Sequence, residues 1–164
     1  MAEATTQQVR IERMAYGPEA VGRLESGKTV FVAGAVPGDL VEVAVDREAE
    51  RYCNGHVSKV LEASPDRVVP ECPYAAVCGG CPWAQISYDA QAHHKRDGVV
   101  SALARIGRMG EERAEALVAP LVSPSAPWGY RNKVELAVVE RGGRLSLGMH
   151  AADGSGVVPV KACK

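Results

Sequence analysis

Alternation with a period of two dominates the first part of the chain. Val41, Val43 and Val45 alternate with Glu42, Ala44 and Asp46, the pattern of a strand with one buried face. "VRIERM", "TVFVAG" and "GHVSKVLE" are further short runs rich in β-branched residues. "YGPEAVG" and "VPGD" punctuate them with Gly and Pro. Four or five short strands separated by such turns predict a small closed β-barrel over residues 1–66. "EASPDRVVPEC" then reads as a linker, with a Ser-Pro turn and a second proline ahead of Cys72.

The period changes after residue 86. Tyr88, Ala92, Val99, Leu103 and Ile106 recur at helical spacing. Ser87 is placed to cap this helix, Asp89 complements its positive end, and Gly107 sits where such helices stop. His93, Lys95, Arg96 and Arg105 fall off the apolar positions and read as a solvated face. "EERAEALV" predicts a short second helix. "VELAVVE", "RLSLGMH" and "GVVPVKA" predict strands of a new antiparallel sheet, the first two joined by a turn around "RGG". The expected architecture is α+β, a barrel at 1–66 followed by a partial α+β unit at 67–164.

Composition narrows the class. Of 164 residues, 46% are hydrophobic and 24% charged, and the formal net charge is −1, which is globular and does not advertise a nucleic-acid partner. No apolar run suits a membrane span, and "MAEATTQQVR" lacks the apolar core of a secretory signal. A cytoplasmic monomer is expected. Five cysteines without an export signal point to metal or catalysis rather than disulfides.

Three of those five crowd into "ECPYAAVCGGCPWAQ", as C-x5-C-x2-C at Cys72, Cys78 and Cys81. The C-x2-C step puts two thiolates on one tight turn. Gly79 and Gly80 let backbone N–H groups approach the sulfurs, which lowers the cost of their charge. Cys163 is the plausible distant fourth ligand, because Cys53 falls in a predicted barrel strand and reads as a small buried hydrophobe. Four thiolates suit zinc, but one C-x2-C knuckle with a remote partner leans towards a 4Fe–4S cluster.

"YGPEAVGRLESGKTVFVAGAVPGDLVEVAV" resembles a TRAM domain, a small RNA-binding β-barrel. "CPYAAVCGGCPWAQISYDAQAHHKRDGVVSALARIG", with Gln85, Tyr88, Gln91 and Lys95 after the cysteines, resembles the cluster segment of bacterial RNA (uracil-C5)-methyltransferases. "SPSAPWGYRNKVELAV", "LGMH" and "VKAC" follow in that family's order. The resemblance implies that Cys72, Cys78, Cys81 and Cys163 hold a 4Fe–4S cluster and that rRNA or tRNA is the partner. Ile86 departs from the pattern, where a histidine often follows the glutamine, and so weakens any expected RNA contact from that turn.

In that family S-adenosylmethionine, a cysteine nucleophile and a carboxylate base belong to a C-terminal Rossmann-like domain. A thiolate must add to C6 of uracil before C5 attacks, and a base must remove the C5 proton. This sequence has no strand–GxGxG–helix unit, so the resemblance implies an RNA-binding portion without catalytic residues, inactive alone. An alternative is a stand-alone RNA-binding module with a structural four-cysteine metal site; a small iron–sulfur electron carrier ranks lower. For RNA contact the "YRNK" run is the strongest candidate: Tyr130 offers a stacking face, Arg131 and Lys133 phosphate contacts, and Asn132 a base-edge contact. Arg23, Lys28 and Arg51 are the barrel's candidates.

Overall fold

The computed structural model describes residues 6–123 and 126–164. Pro124 and Ser125, within the "SPSAPWGYRNK" stretch, lie outside them. Five strands, β1 (Thr6–Met14), β2 (Ala20–Arg23), β3 (Thr29–Ala33), β4 (Leu40–Glu48) and β5 (Tyr52–Glu62), close into a barrel in the order β1-β2-β3-β5-β4. All neighbours are antiparallel except β3 and β5. The predicted alternation supplies the interior: Val9, Ile11, Val30, Val32, Val41, Val43 and Cys53 are buried. Closure leaves no free sheet edge to template pairing with another chain.

Closing so small a barrel forces backbones together at two glycines. A Cβ on Gly22 would strike Val9 and the Arg10 carbonyl, and one on Gly55 would strike the Ala44 carbonyl. Both lie near register shifts, between Ile11 and Arg13 in β1 and between Val45 and Arg47 in β4, where bulges bend the sheet.

The "VPGD" turn does more than reverse the chain. Asp39 N donates to Val36 O at 3.0 Å, and Gly38 takes φ 91° after Pro37, a type II turn. The Asp39 side chain is fully buried. Its carboxylate accepts from Val36 N at 2.7 Å, Ser64 N at 2.8 Å and the Arg67 guanidinium at 2.6 Å. Arg67 also donates to Gly34 O at 2.9 Å. The first residues of the predicted linker are thereby locked to the barrel.

Helix α1 (Tyr88–Arg105) starts as expected, with the Ser87 side chain accepting from Ala90 N. At its far end Gly107 follows the C-cap Ile106, but the left-handed residue is Arg108, φ 54°. Gly107 is needed for room instead, since a Cβ there would lie 2.6 Å from Leu103 O. The expected apolar face is not the one buried. Val99 is 50% and Ile106 84% exposed, whereas Ala90 and Val100 are buried. Alanine and charged residues make up half of α1, so few large side chains specify a face, and packing against β1 and α2 (Glu111–Leu117) decides it. Arg96 likewise leaves the solvated set: it donates to Val118 O at 2.9 Å and pairs with Glu115 at 2.8 Å, fastening α2.

The described chain divides into two compact units, residues 1–67 with 86–122, and residues 68–85 with 123–164. The helices therefore group with the barrel, where a linear division at residue 66 is expected from sequence. An antiparallel bridge between Arg67 and Ile86 marks where the chain leaves and re-enters the first unit. In the second unit β6 (Ala137–Arg141), β7 (Arg144–His150) and β8 (Val157–Pro159) form an antiparallel sheet in sequence order. Gly142 and Gly143, both at positive φ, make the predicted "RGG" hairpin turn. Among the described residues no helix is long and apolar enough to cross a membrane.

Candidate metal centre and nucleic-acid interface

The cysteine loop has no regular element of its own, so its shape comes from hydrogen bonds to other parts of its unit. Cys78 N bonds to Tyr74 O at 2.8 Å and Ala84 N to Cys81 O at 3.1 Å, winding the loop on itself. Gly79 N donates to His150 O at 2.9 Å, and Ala152 N to Val77 O at 2.9 Å. Cys78 and Ala151 form an isolated antiparallel bridge. These bonds seat the C-x2-C turn against the end of β7. A Cβ on Gly79 would lie 3.1 Å from His150 O, so the small residue permits that approach.

The tail is sewn to the same loop. Lys161 N donates to the Tyr74 hydroxyl at 3.2 Å, and Lys164 Nζ reaches Glu71 Oε2 at 2.7 Å. The hydrogen bond from Lys164 holds the Glu71 carboxyl below its ordinary range, with a further contribution from Trp128. The tail that carries Cys163 is thus tied to the cysteine loop at Tyr74 and Glu71. Sequence reasoning did not single out Glu71 or Tyr74. Their signal, adjacency to the cysteines, needs the fold to become legible.

Cys81 lies within electrostatic reach of the other three thiols that the sequence grouped with it. Burial pushes the Cys81 thiol up, and the charges of Cys163, Cys78 and Cys72 push it further, against Arg131. Gly80 N donates to Cys78 Sγ at 3.4 Å, the amide-to-sulfur contact expected from the Gly-Gly pair. Among the described residues no three His, Cys, Asp or Glu side chains stand close enough together to ligate one ion. Cysteine sulfur is the donor type that thiophilic ions take, so the chemistry of these side chains suits such an ion. Cys53 is buried in the barrel, as its place in a predicted strand implied.

The "YRNK" side chains are all exposed. Tyr130 is 63% exposed and carries the Arg131 guanidinium 5.7 Å from its ring centre, a cation–π contact. Arg131 also acts on Cys81, so the run lies within reach of the cysteine site. Lys133 pairs with Glu135 at 3.1 Å. On the barrel, Lys28 is held by Glu48 and the Ala49 carbonyl, so it is a structural cation. That hydrogen bond to Glu48 raises its pKa. Arg23 sits 3.6 Å from Glu12, and Arg51 is exposed. Ile86, the departure noted above, is 1% exposed; it serves as a core residue, which explains an apolar side chain there.

A closed five-stranded barrel with this strand order, and a sequence match to the TRAM domain over residues 3–58, define a TRAM-domain protein. The similarity extends well past the barrel. An uncharacterized RNA methyltransferase of Gloeobacter violaceus is 34% identical over 164 residues, 99% of this chain and 35% of that protein. A 23S rRNA (uracil(1939)-C(5))-methyltransferase of Halomonas elongata is 37% identical over 154 residues, 93% of this chain and 31% of its own. Nearly the whole chain is thus similar to RNA methyltransferases, and it spans about a third of the length of these relatives. The crystal structure of Pyrococcus abyssi tRNA (uracil-54, C5)-methyltransferase with S-adenosyl-L-homocysteine covers 63% of this chain and 22% of that one. Its TM-score of 0.36 and 24% identity are too slight to support any statement about this molecule.

Proposed function

We propose that this chain is the RNA-binding and 4Fe–4S-binding part of an S-adenosylmethionine-dependent RNA uridine-C5 methyltransferase acting on rRNA or tRNA. Cys72, Cys78, Cys81 and Cys163 would hold the cluster, and Tyr130, Arg131, Asn132 and Lys133 would contact RNA. The observation that supports this reading is the tail, tied by Lys161 and Lys164 to Tyr74 and Glu71 of the loop that carries the other three cysteines. Methyl transfer needs a cofactor site, a nucleophile and a base. We place these in the part of the relatives that this chain does not span, so the chain alone binds RNA without methylating it.

Held by Cys72, Cys78, Cys81 and Cys163, a cluster would supply cross-links to a unit that buries one apolar side chain, Ala84, among its described residues. The residues on either side do the rest. Gly80 N–H stabilises the Cys78 sulfur, and the Glu71–Lys164 pair holds the tail in place. Anaerobic purification followed by iron, sulfide and zinc analysis and a visible spectrum tests the site. Iron and sulfide in cluster stoichiometry, lost together in Cys163→Ser, are expected. A colourless protein carrying one zinc would retain the four-cysteine site and favour the stand-alone module; a chain with no metal under any reconstitution would remove the site altogether. Methyl transfer to RNA by this chain alone would overturn the assignment of chemistry to the rest of the relatives.

A further inference from the structure

The strand register lays five residues in one row on the outward side of the barrel, four of them reaching the surface and Val21 covered by its neighbours at 3% exposure. Arg13 pairs with Val21, Val21 with Phe31, Phe31 with Asn54, and Asn54 with Arg47. Because Val30, Val32 and Cys53 point inward, Phe31 and Asn54 point outward by the alternation of strands. Phe31 is the chain's only phenylalanine, and it is half-buried on this outer face rather than placed in the core. Tyr52, 39% exposed, meets it edge to face, with ring centres 5.7 Å apart and planes at 84°. The row thus has an aromatic pair and an amide at its centre and an exposed guanidinium at each end.

We infer that this face is a binding surface for single-stranded RNA, with a base stacked on the Phe31–Tyr52 pair, Asn54 at the base edge, and Arg13 and Arg47 on flanking phosphates. The inference deepens the RNA-binding reading and rests on it, and it adds a stacking platform beside the barrel's candidate Arg23, which pairs with Thr29 as Thr29 pairs with Tyr52. A single strand is specified because an aromatic platform needs the flat face of an unpaired base, which a duplex hides. Most other cations of the barrel are already neutralised: Arg10 by Glu62 at 2.6 Å, Lys28 by Glu48 and Arg67 by Asp39. Arg13 donates to the neighbouring Met14 carbonyl at 3.2 Å and pairs with no carboxylate among the described residues. Glu19 opposes the site, accepting from Asn54 Nδ2 at 3.4 Å, a long bond that a base edge can displace.

The test uses the full chain and a short fluorescein-labelled oligouridine, read by anisotropy, with a labelled RNA duplex as control. Phe31→Leu with Tyr52→Leu should weaken single-strand binding roughly tenfold, the loss of one stacked base, while leaving the melting curve of the barrel in place. Arg13→Gln and Arg47→Gln, at exposed positions that folding does not need, should each lower the salt slope of binding by about 0.7. Glu19→Gln should tighten binding. If the parent chain binds no RNA, the RNA reading and this inference fall together. If the parent binds and Tyr130→Ala or Lys133→Ala carries the whole loss while the barrel variants bind as the parent does, the RNA reading stands and this inference is overturned. Equal binding of single strand and duplex would also overturn it.

Discussion

The two compact units of this chain reach order by opposite routes. The barrel unit buries an aliphatic interior from every strand and closes its own edges. The cysteine unit buries one apolar side chain among its described residues, Ala84. Its sheet instead shows large aliphatic residues to solvent, Leu145 at 75% and Val138 at 66% exposed. What organises it is a set of backbone stitches and the Lys164–Glu71 ion pair, joining the cysteine loop to the end of β7 and to the tail. Hydrogen bonds of this kind contribute only about 1 kcal/mol net each, too little to hold a unit without a core. Small units in that position depend on disulfides, metals or a partner surface, and this one has four thiols to offer.

The contrast is broken most directly at Cys78. Cys78→Ser should cost the second unit its fold, seen as loss of amide protection over residues 68–85 and 144–160 together with visible absorbance. The barrel amides should be unaffected; protection retained in the second unit would show that stitches alone suffice. Within the barrel, the largest effect is expected at Asp39. Asp39→Ala strands the Arg67 guanidinium and two buried amides and should cost about 3–5 kcal/mol in urea unfolding, with the metal content unchanged. Gly55→Ala forces a methyl onto the Ala44 carbonyl and should cost about 1–3 kcal/mol by the same measurement.

The smallest effect is a pH dependence confined to the barrel unit. Burial first, and then His93, depress the pKa of His94, so the folded state favours the neutral imidazole. A group depressed in this way contributes stability above its unfolded pKa, and that stability is lost as the pH falls. Melting of the barrel unit should therefore decline as the pH drops below about 6.5, and His94→Gln should flatten the decline. A melting temperature that rises on acidification would reverse the sign.

Much of the barrel was legible before any coordinates. Val41 and Val43 alternate with polar neighbours, and their burial follows from period alone. The helix start at Ser87 was equally plain, because an N-cap is a local hydrogen bond between residues three apart. The buried face of α1 was not, since Val99 and Ile106 lie at helical spacing yet remain exposed. A helix that is half alanine and charge takes its orientation from its neighbours. Nor could the sequence show that Asp39 would gather Ser64 and Arg67, or that Phe31 would face outward beside Tyr52. Those pairings join residues far apart in the chain.

What the sequence by itself determined is therefore local. Strand and turn positions, the cap of α1 and the grouping of Cys72, Cys78 and Cys81 depend on residues within a few positions of one another, where backbone geometry leaves little choice. The tertiary structure alone decided which cations are neutralised, which aromatic rings reach the surface, and that the tail returns to the cysteine loop. Each of these depends on contacts whose free energy exists only once distant segments have been brought together, so no window of sequence carries it.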